Sequence, residues 1–172
     1  MPTPETSETP YVRISRQAFR DAMAHVAAPV HVVASDGPAG RVGVTATAVC
    51  SVTDDPPTLL VCLNRRGSAT EAVRANGVIS VNTLGHGDRE LSAIFAGQRG
   101  VPMADRFGHG TWTTLVTGAP VLEGGLVSFD CVIDDTAEVG THLIFYCHVV
   151  GAEFREHGTN LIYVGRRYTT TA

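Results

Sequence analysis

The stretch Arg41-Val42-Gly43-Val44-Thr45-Ala46-Thr47-Ala48-Val49-Cys50-Ser51-Val52-Thr53 decides the fold class. It is followed by Asp54-Asp55-Pro56-Pro57 and then by Thr58-Leu59-Leu60-Val61-Cys62-Leu63. Its even positions from Val42 to Val52 are all apolar, and its odd positions are small and mostly hydroxylated. A period of two places these sets on opposite faces of one extended strand. The Asp-Asp-Pro-Pro turn and the apolar run behind it predict an antiparallel hairpin.

Working outward, further strands are expected over 30–33, 78–84, 126–133, 143–150 and 160–168. A helix is expected from Ser15, with Ala18, Phe19, Ala22, Met23 and Val26 at helical spacing and Pro29 as its stop. A second starts at Ser68, where Ser68 and Glu71 form a capping-box pattern, and ends at Asn76-Gly77. A third runs from Asp88 to about Ala96, with Gly97 as its stop. The stretch 97–125 is rich in glycine and proline and reads as loop, and Asp54-Asp55 and Asp134-Asp135 read as turns. Strands outnumber helices and rarely alternate with them, so the expected class is mainly β. The architecture is a small antiparallel barrel with a few short helices. One domain over 13–172 is expected behind a disordered tail, 1–12, because Met1 to Pro10 is acidic and proline-rich.

Composition prunes function. The 172 residues carry 13 cations and 17 anions, 13 − 17 = −4, which argues against a nucleic-acid groove. Every cation is arginine, so Schiff-base, pyridoxal-phosphate and Walker-loop chemistry are excluded. Cys50, Cys62, Cys131 and Cys147 sit singly in apolar runs and read as four buried reduced thiols. No apolar run approaches a membrane span, and the expected location is cytoplasmic. His142 and His148 are too far apart to share a metal and no third ligand accompanies them, so no metal site is expected.

Few motifs carry chemistry. Gly85/Gly87 and Gly108/Gly110 each lack the third glycine of a dinucleotide fingerprint, since Glu90 and Thr113 stand in its place. Asn64-Arg65-Arg66-Gly67-Ser68, where strand meets helix, reads either as a phosphate corner or as an ordinary capped helix with surface arginines. The row Thr45, Thr47, Ser51 could receive a flat polar ring or simply show hydroxyls to water. Phe107 and Trp112 either stack on a heterocycle or anchor a long loop. His142, in Gly140-Thr141-His142 at a strand mouth, is placed for ligand contact or for a surface hydrogen bond.

Several of these segments together carry a family resemblance. Phe19-Arg20-Asp21-Ala22-Met23, the 45–53 run, Pro56 to Asn64, Val81-Asn82, Ser128-Phe129-Asp130-Cys131, Gly140-Thr141-His142 and Leu161 to Tyr168 resemble the short-chain flavin reductases. These are the small components of two-component flavin-dependent monooxygenases, the 4-hydroxyphenylacetate 3-monooxygenase reductase type among them. The resemblance implies an FMN-binding split barrel, a homodimer, and transfer of hydride from NADH (NADPH less so) to FAD or FMN. The reduced flavin would then serve a separate monooxygenase component. The resemblance also implies that Thr45, Ala46, Thr47, Ala48, Val49 and Ser51 line the flavin ring and its ribityl chain. It puts Asn64, Arg66, Gly67 and Ser68 at the flavin phosphate, His142 at the nicotinamide, and Tyr163, Val164, Gly165 and Arg166 in a second nicotinamide-nucleotide segment. His31 stands where Asn or Thr is expected. A flavin-binding oxidase of the pyridoxamine-phosphate-oxidase type and a non-catalytic flavin carrier are the alternatives.

Overall fold

The computed structural model describes residues 11–171. In chain order it comprises α1 (Arg16–Met23), β1 (Ala28–Pro29), β2 (His31–Ser35), β3 (Val42–Ala46), β4 (Val49–Asp54), β5 (Pro57–Asn64), α2 (Thr70–Asn76) and β6 (Val78–Thr83). There follow α3 (Arg89–Phe95), β7 (Trp112–Thr113), β8 (Val121–Leu122), β9 (Val127–Val139), β10 (His142–Phe154), β11 (Leu161–Val164) and β12 (Arg167–Thr170). Seven strands form one antiparallel sheet in the order β3-β2-β6-β9-β10-β5-β4.

The expected single strand over 41–53 is two strands, and the break makes the fold. β3 and β4 are the two edges of the sheet, yet only Thr47 and Ala48 lie between them. Three Cα steps from Ala46 to Val49 reach at most about 11 Å, so the edges must meet and the sheet must curl into a barrel. The seam carries no ladder, which leaves the barrel split there. Side-chain parity changes across the break. Val42, Val44 and Ala46 pack on the barrel core, and after the break Val49 does so, while Cys50 and Val52 face out.

The barrel core gathers Val33, Val61, Ile79, Val81, Cys131, Phe145 and Cys147, all fully buried, and Val73 of α2 joins it with Ala69 just before that helix. A second cluster lies outside the barrel, where Phe95 of α3 meets Val30, Val32, Leu84 and Leu122. Phe107 packs edge-on against both Phe95 and Trp112, and Phe95 and Trp112 meet at a tilt, all with centroids 5.1–5.4 Å apart, so the two loop aromatics anchor the 97–125 segment. Buried polar groups tie down the rest of it. Asp130 accepts from the backbone N–H of Val116 (2.7 Å) and Thr117 (2.8 Å), and the Asn82 carbonyl oxygen accepts from Leu122 N (2.9 Å).

Other expectations need correction. The first helix ends at Met23, six residues before Pro29, with Ser15 capping it as expected by accepting from Ala18 N. The capping box at Ser68 does not form: α2 begins at Thr70, and Ser68 makes no cap bond. Asp134-Asp135 is not a turn but part of β9, which runs through to Val139 opposite β10. The 160–168 strand is a tight hairpin, β11–β12, turning at Gly165 and Arg166, both at φ +59°. Two successive left-handed residues make the turn whose twist suits a two-residue hairpin. All four cysteines are free, but Cys50 is exposed and Cys62 half-buried. Burial does push up the thiols of Cys131 and Cys147, the latter to about 12, so neither supplies thiolate at neutral pH. Of the tail expected over 1–12, residues 1–10 lie outside the described residues, and Tyr11 and Val12 are exposed.

His31 sits inside this apolar structure, 6% exposed, its Nδ1 3.0 Å from Thr83 Oγ1 and its Nε2 without a partner among the described residues. Burial lowers its pKa from 6.5 to about 4. Because the folded state disfavours the proton, stability is full above pH 6.5 and falls as pH drops toward 4. Between pH 7.5 and 5 this group should cost about 2 kcal/mol. Urea unfolding of wild type and His31→Asn at both pH values checks this, and equal pH dependence in the two proteins would contradict it.

Candidate functional site

The seam between β3 and β4 opens onto three adjoining hollows. The first, about 280 Å³, lies between β3, the β5–α2 corner and α3, and is lined by Thr45, Asn64, Gly67, Ser68, Phe95 and Arg106, among others. The second, about 160 Å³, is lined by Thr45, Ala46, Thr47, Gln98, Tyr163 and Tyr168. The third and widest, about 700 Å³, has Thr47, Ala48, Tyr163 and Arg166 on one side and Phe19, Met23 and Val26 on the other. Thr45 belongs to the first and second, and Thr47 and Tyr163 to the second and third. The three are therefore one band running along the seam.

Each wall has a local cause. Thr45 Oγ1 donates to Ser92 O at 2.7 Å, which fixes β3 against α3 and commits that hydroxyl to the protein. Ser92 Oγ lies 2.8 Å from Tyr168 Oη, and Tyr168 packs edge-on against Tyr163 at 5.5 Å. A short relay of contacts thus joins the threonine strand to the β11–β12 hairpin. At the corner, Asn64 Oδ1 accepts from Arg66 N (2.9 Å), and Gly67 N donates to Asn64 O (2.9 Å). A Cβ at Gly67 would stand 3.0 Å from Asn64 O, so a larger residue would force this corner open. At the other end, Gly165 N donates to Ala24 O (2.7 Å) and the Arg166 guanidinium bonds Asp21, which binds α1 to the hairpin. That hydrogen bond, helped by Gln17, holds the Asp21 carboxyl below its usual range.

Most of the expected site residues come together, and some do not. Thr45, Ala46, Thr47, Ala48, Asn64, Gly67, Ser68, Tyr163 and Arg166 line the band. His142 lies directly across from Asn64 in the β10–β5 ladder, and Arg65 N donates to Thr141 O (3.0 Å), so the histidine borders the same corner. Its Nδ1 is 2.9 Å from Thr141 Oγ1. By contrast, Val49 packs on the barrel core, and Ser51 stands opposite Leu59, well down β4. Arg66 is exposed outside the three hollows, and Val164 and Gly165 serve the hairpin itself.

Sequence reasoning missed the α1 wall, Gln98, Tyr168 and Arg106. The Phe19 to Met23 run carries part of the family resemblance, but nothing in its spacing tells which surface it faces. Among the described residues no group of three His, Cys, Asp or Glu could hold a metal, and no helix is long and apolar enough to cross a membrane.

The band fits a flat, acceptor-rich ligand. Among the described residues no hydrogen bond leaves the N–H of Thr47 or Ala48, both exposed at the seam. Exposed backbone donors beside aromatic and small side chains are suited to the ring nitrogens and carbonyls of an isoalloxazine. A barrel split at such a seam defines a class of small antiparallel β proteins with a built-in cleft for a flat ligand.

Within that class, the flavin reductase like domain family matches residues 23–172, and the chain belongs to that family. It is 52% identical over 164 residues to the FMN reductase (NADH) RutF of Stutzerimonas stutzeri strain A1501, covering 95% of this chain and 93% of that one. Among solved structures it resembles the NADH:FAD oxidoreductase SgcE6 of Streptomyces globisporus in complex with NAD and FAD fragments. There the TM-score is 0.83 at 25% identity, over 91% of this chain and 93% of that one. It also resembles the styrene monooxygenase flavin reductase of Pseudomonas putida S12, with TM-score 0.79 at 27% identity over 90% and 97% of the two chains.

Thr47 is exposed and in neither strand, so a large side chain there fills the band without disturbing the core. Thr47→Trp should weaken flavin binding by at least about tenfold while the melting temperature moves by no more than about 2 °C. Fluorescence titration with FMN beside a thermal melt reads both, and undiminished binding would remove the seam from the site.

Proposed function

We propose that the chain is an NADH-dependent flavin reductase that works on FMN in preference to FAD and releases reduced flavin to a separate monooxygenase in the cytoplasm. The observation that carries this reading is the continuous band, which joins the Asn64–Ser68 corner to the Tyr163–Arg166 hairpin along a seam with free backbone donors. The curated relatives are named FMN reductase (NADH), which supports the choice of NADH and of FMN.

Bound together, the two cofactors would supply hydride transfer from nicotinamide to flavin, a step that asks no proton of the protein. The chain's own work is then to align two rings. Thr47 and Ala48 present N–H donors to ring acceptors, and the small, exposed side chain of Ala48 leaves a face open for stacking. His142, beside Asn64, offers imidazole Nε2 to the nicotinamide carboxamide or phosphate.

The proposal includes a homodimer. α1 buries none of its residues, and Phe19, Met23 and Val26 are 48–56% exposed on the wall of the widest hollow. On the outside of the β9–β10 ribbon Val132 and Val150 are also exposed, as is Phe154 at its end. Surfaces of this kind are normally covered in an assembly.

Mixing the protein with NADH and FMN should consume NADH steadily in air, faster than with FAD. No oxidation with either flavin would end the reductase reading, and binding without turnover would make the protein a carrier. His142→Ala should raise the NADH KM by about three- to tenfold and leave FMN affinity within about twofold. If flavin binding and thermal stability collapse together while KM holds, His142 is structural instead. Sedimentation should give twice 18.2 kDa; a monomer at micromolar concentration would reject the dimer.

A further inference from the structure

The polar groups along the seam are lopsided. The backbone N–H groups of Thr47 and Ala48 have no partner among the described residues, yet both carbonyls are spent. Thr47 O accepts from Val49 N (3.0 Å) and Ala48 O from Cys62 N (2.9 Å). In the adjoining hollow of about 160 Å³ two of the hydroxyls are committed as well. Thr45 Oγ1 donates to Ser92 O (2.7 Å), and Tyr168 Oη lies 2.8 Å from Ser92 Oγ. An isoalloxazine ring ends in an imide, one N–H (N3) flanked by two carbonyls. The donors of the seam can meet the carbonyls, but the N3–H needs an acceptor that the seam backbone does not offer.

Gln98 lines that same hollow and directly follows α3. Gly97 leaves the helix with a left-handed backbone (φ +77°), and the N–H of Gln98 turns back to Ala93 O (3.0 Å). Leu91, Ile94 and Phe95 bury α3 in its own apolar cluster, so the backbone that carries Gln98 is fixed. The side chain is exposed and makes no hydrogen bond among the described residues. It is the only amide side chain on the wall of the hollow, and a primary amide sets an acceptor beside donors in one plane. The hollow is smaller than the roughly 300 Å³ that encloses a whole drug-sized ligand, so it takes one end of a tricycle. The widest hollow beside it, walled by Phe19, Met23 and Val26, suits the opposite, dimethyl-bearing end. Resting on the flavin-reductase reading above, we propose that Gln98 reads the imide edge of the flavin. Its Oε1 accepts from N3–H while its Nε2 donates to a neighbouring ring carbonyl, and these bonds make Gln98 a specificity-determining residue for the isoalloxazine ring. Riboflavin, FMN and FAD share that edge, so the contact selects by ring and is blind to the phosphate tail.

The test titrates full-length wild type, Gln98→Ala and Gln98→Leu with FMN and with N3-methyl-FMN, alongside thermal melts and the NADH KM. Wild type should bind FMN at least about fivefold more tightly than the methylated flavin, which has lost the N3–H. Gln98→Ala should lose FMN affinity by about 5- to 50-fold and bind the two flavins within about twofold of each other. Gln98→Leu fills the same space without hydrogen bonds and should lose FMN affinity as Gln98→Ala does. Both variants should melt within about 2 °C of wild type, since the side chain packs on nothing buried. FMN affinity kept by Gln98→Leu, or equal losses for both flavins in Gln98→Ala, would make the residue a filler of the hollow and overturn the proposal. A rise in NADH KM with FMN binding undiminished would place the amide at the nicotinamide and overturn it too. A wild type that binds neither flavin would instead sink the reductase reading on which the proposal rests.

Discussion

Two residues, Thr47 and Ala48, join strands that lie at opposite edges of a seven-stranded sheet. Everything else in the molecule answers to that constraint. The sheet has to curl until its edges meet, and a curled sheet encloses the apolar core of Val61, Ile79, Val81 and Phe145. The edges meet without forming a ladder, so backbone donors are left at the seam. An edge left unpaired is ordinarily a liability. Here it lies beside α3, the β11–β12 hairpin and α1, and the space between them is the candidate site.

Around the seam, α3 is anchored by its buried apolar residues, whereas α1 is held by a few polar contacts more than by buried area. Thr45 grips α3, Ser92 meets Tyr168, Gly165 N donates to Ala24 O just past α1, and Arg166 reaches Asp21. Arg166 adopts a left-handed backbone, uncommon for a residue with a side chain, to close the hairpin and direct its guanidinium toward α1. With no residue of α1 buried, its place depends on these contacts and on whatever covers Phe19 and Met23. That arrangement suits a protein that must admit and release a large planar molecule.

Much of this was legible in the sequence, for identifiable reasons. The β4–β5 hairpin followed from Asp54-Asp55-Pro56-Pro57 between extended runs, and Gly77 and Gly97 marked helix ends by their left-handed backbone. The break at Thr47 was hidden because Thr and Ala continue the alternation on either side; only the long-range pairing of β3 with β2 and of β4 with β5 reveals it. Gly165-Arg166 was missed for a similar reason, since an arginine in a left-handed turn gives no turn signal. Ser68-x-x-Glu71 showed the opposite error: a local pattern for a cap was overridden when Thr70 bonded Asn64 O and α2 began two residues later. Gln98 could not be read at all, because its meaning comes from the seam carbonyls of Thr47 and Ala48, which folding hands to Val49 and Cys62.

The central claim is that flavin lies along the β3–β4 seam. A crystal structure of the protein with FMN tests it most directly. The account predicts the ring against Thr45 to Ala48, its acceptors on the N–H groups of Thr47 and Ala48, and the phosphate in the hollow lined by Asn64 and Ser68. Flavin density elsewhere, for instance in the hollow lined by Gly124, Ser128 and Phe154 or in that between Asp88 and Glu123, would contradict it.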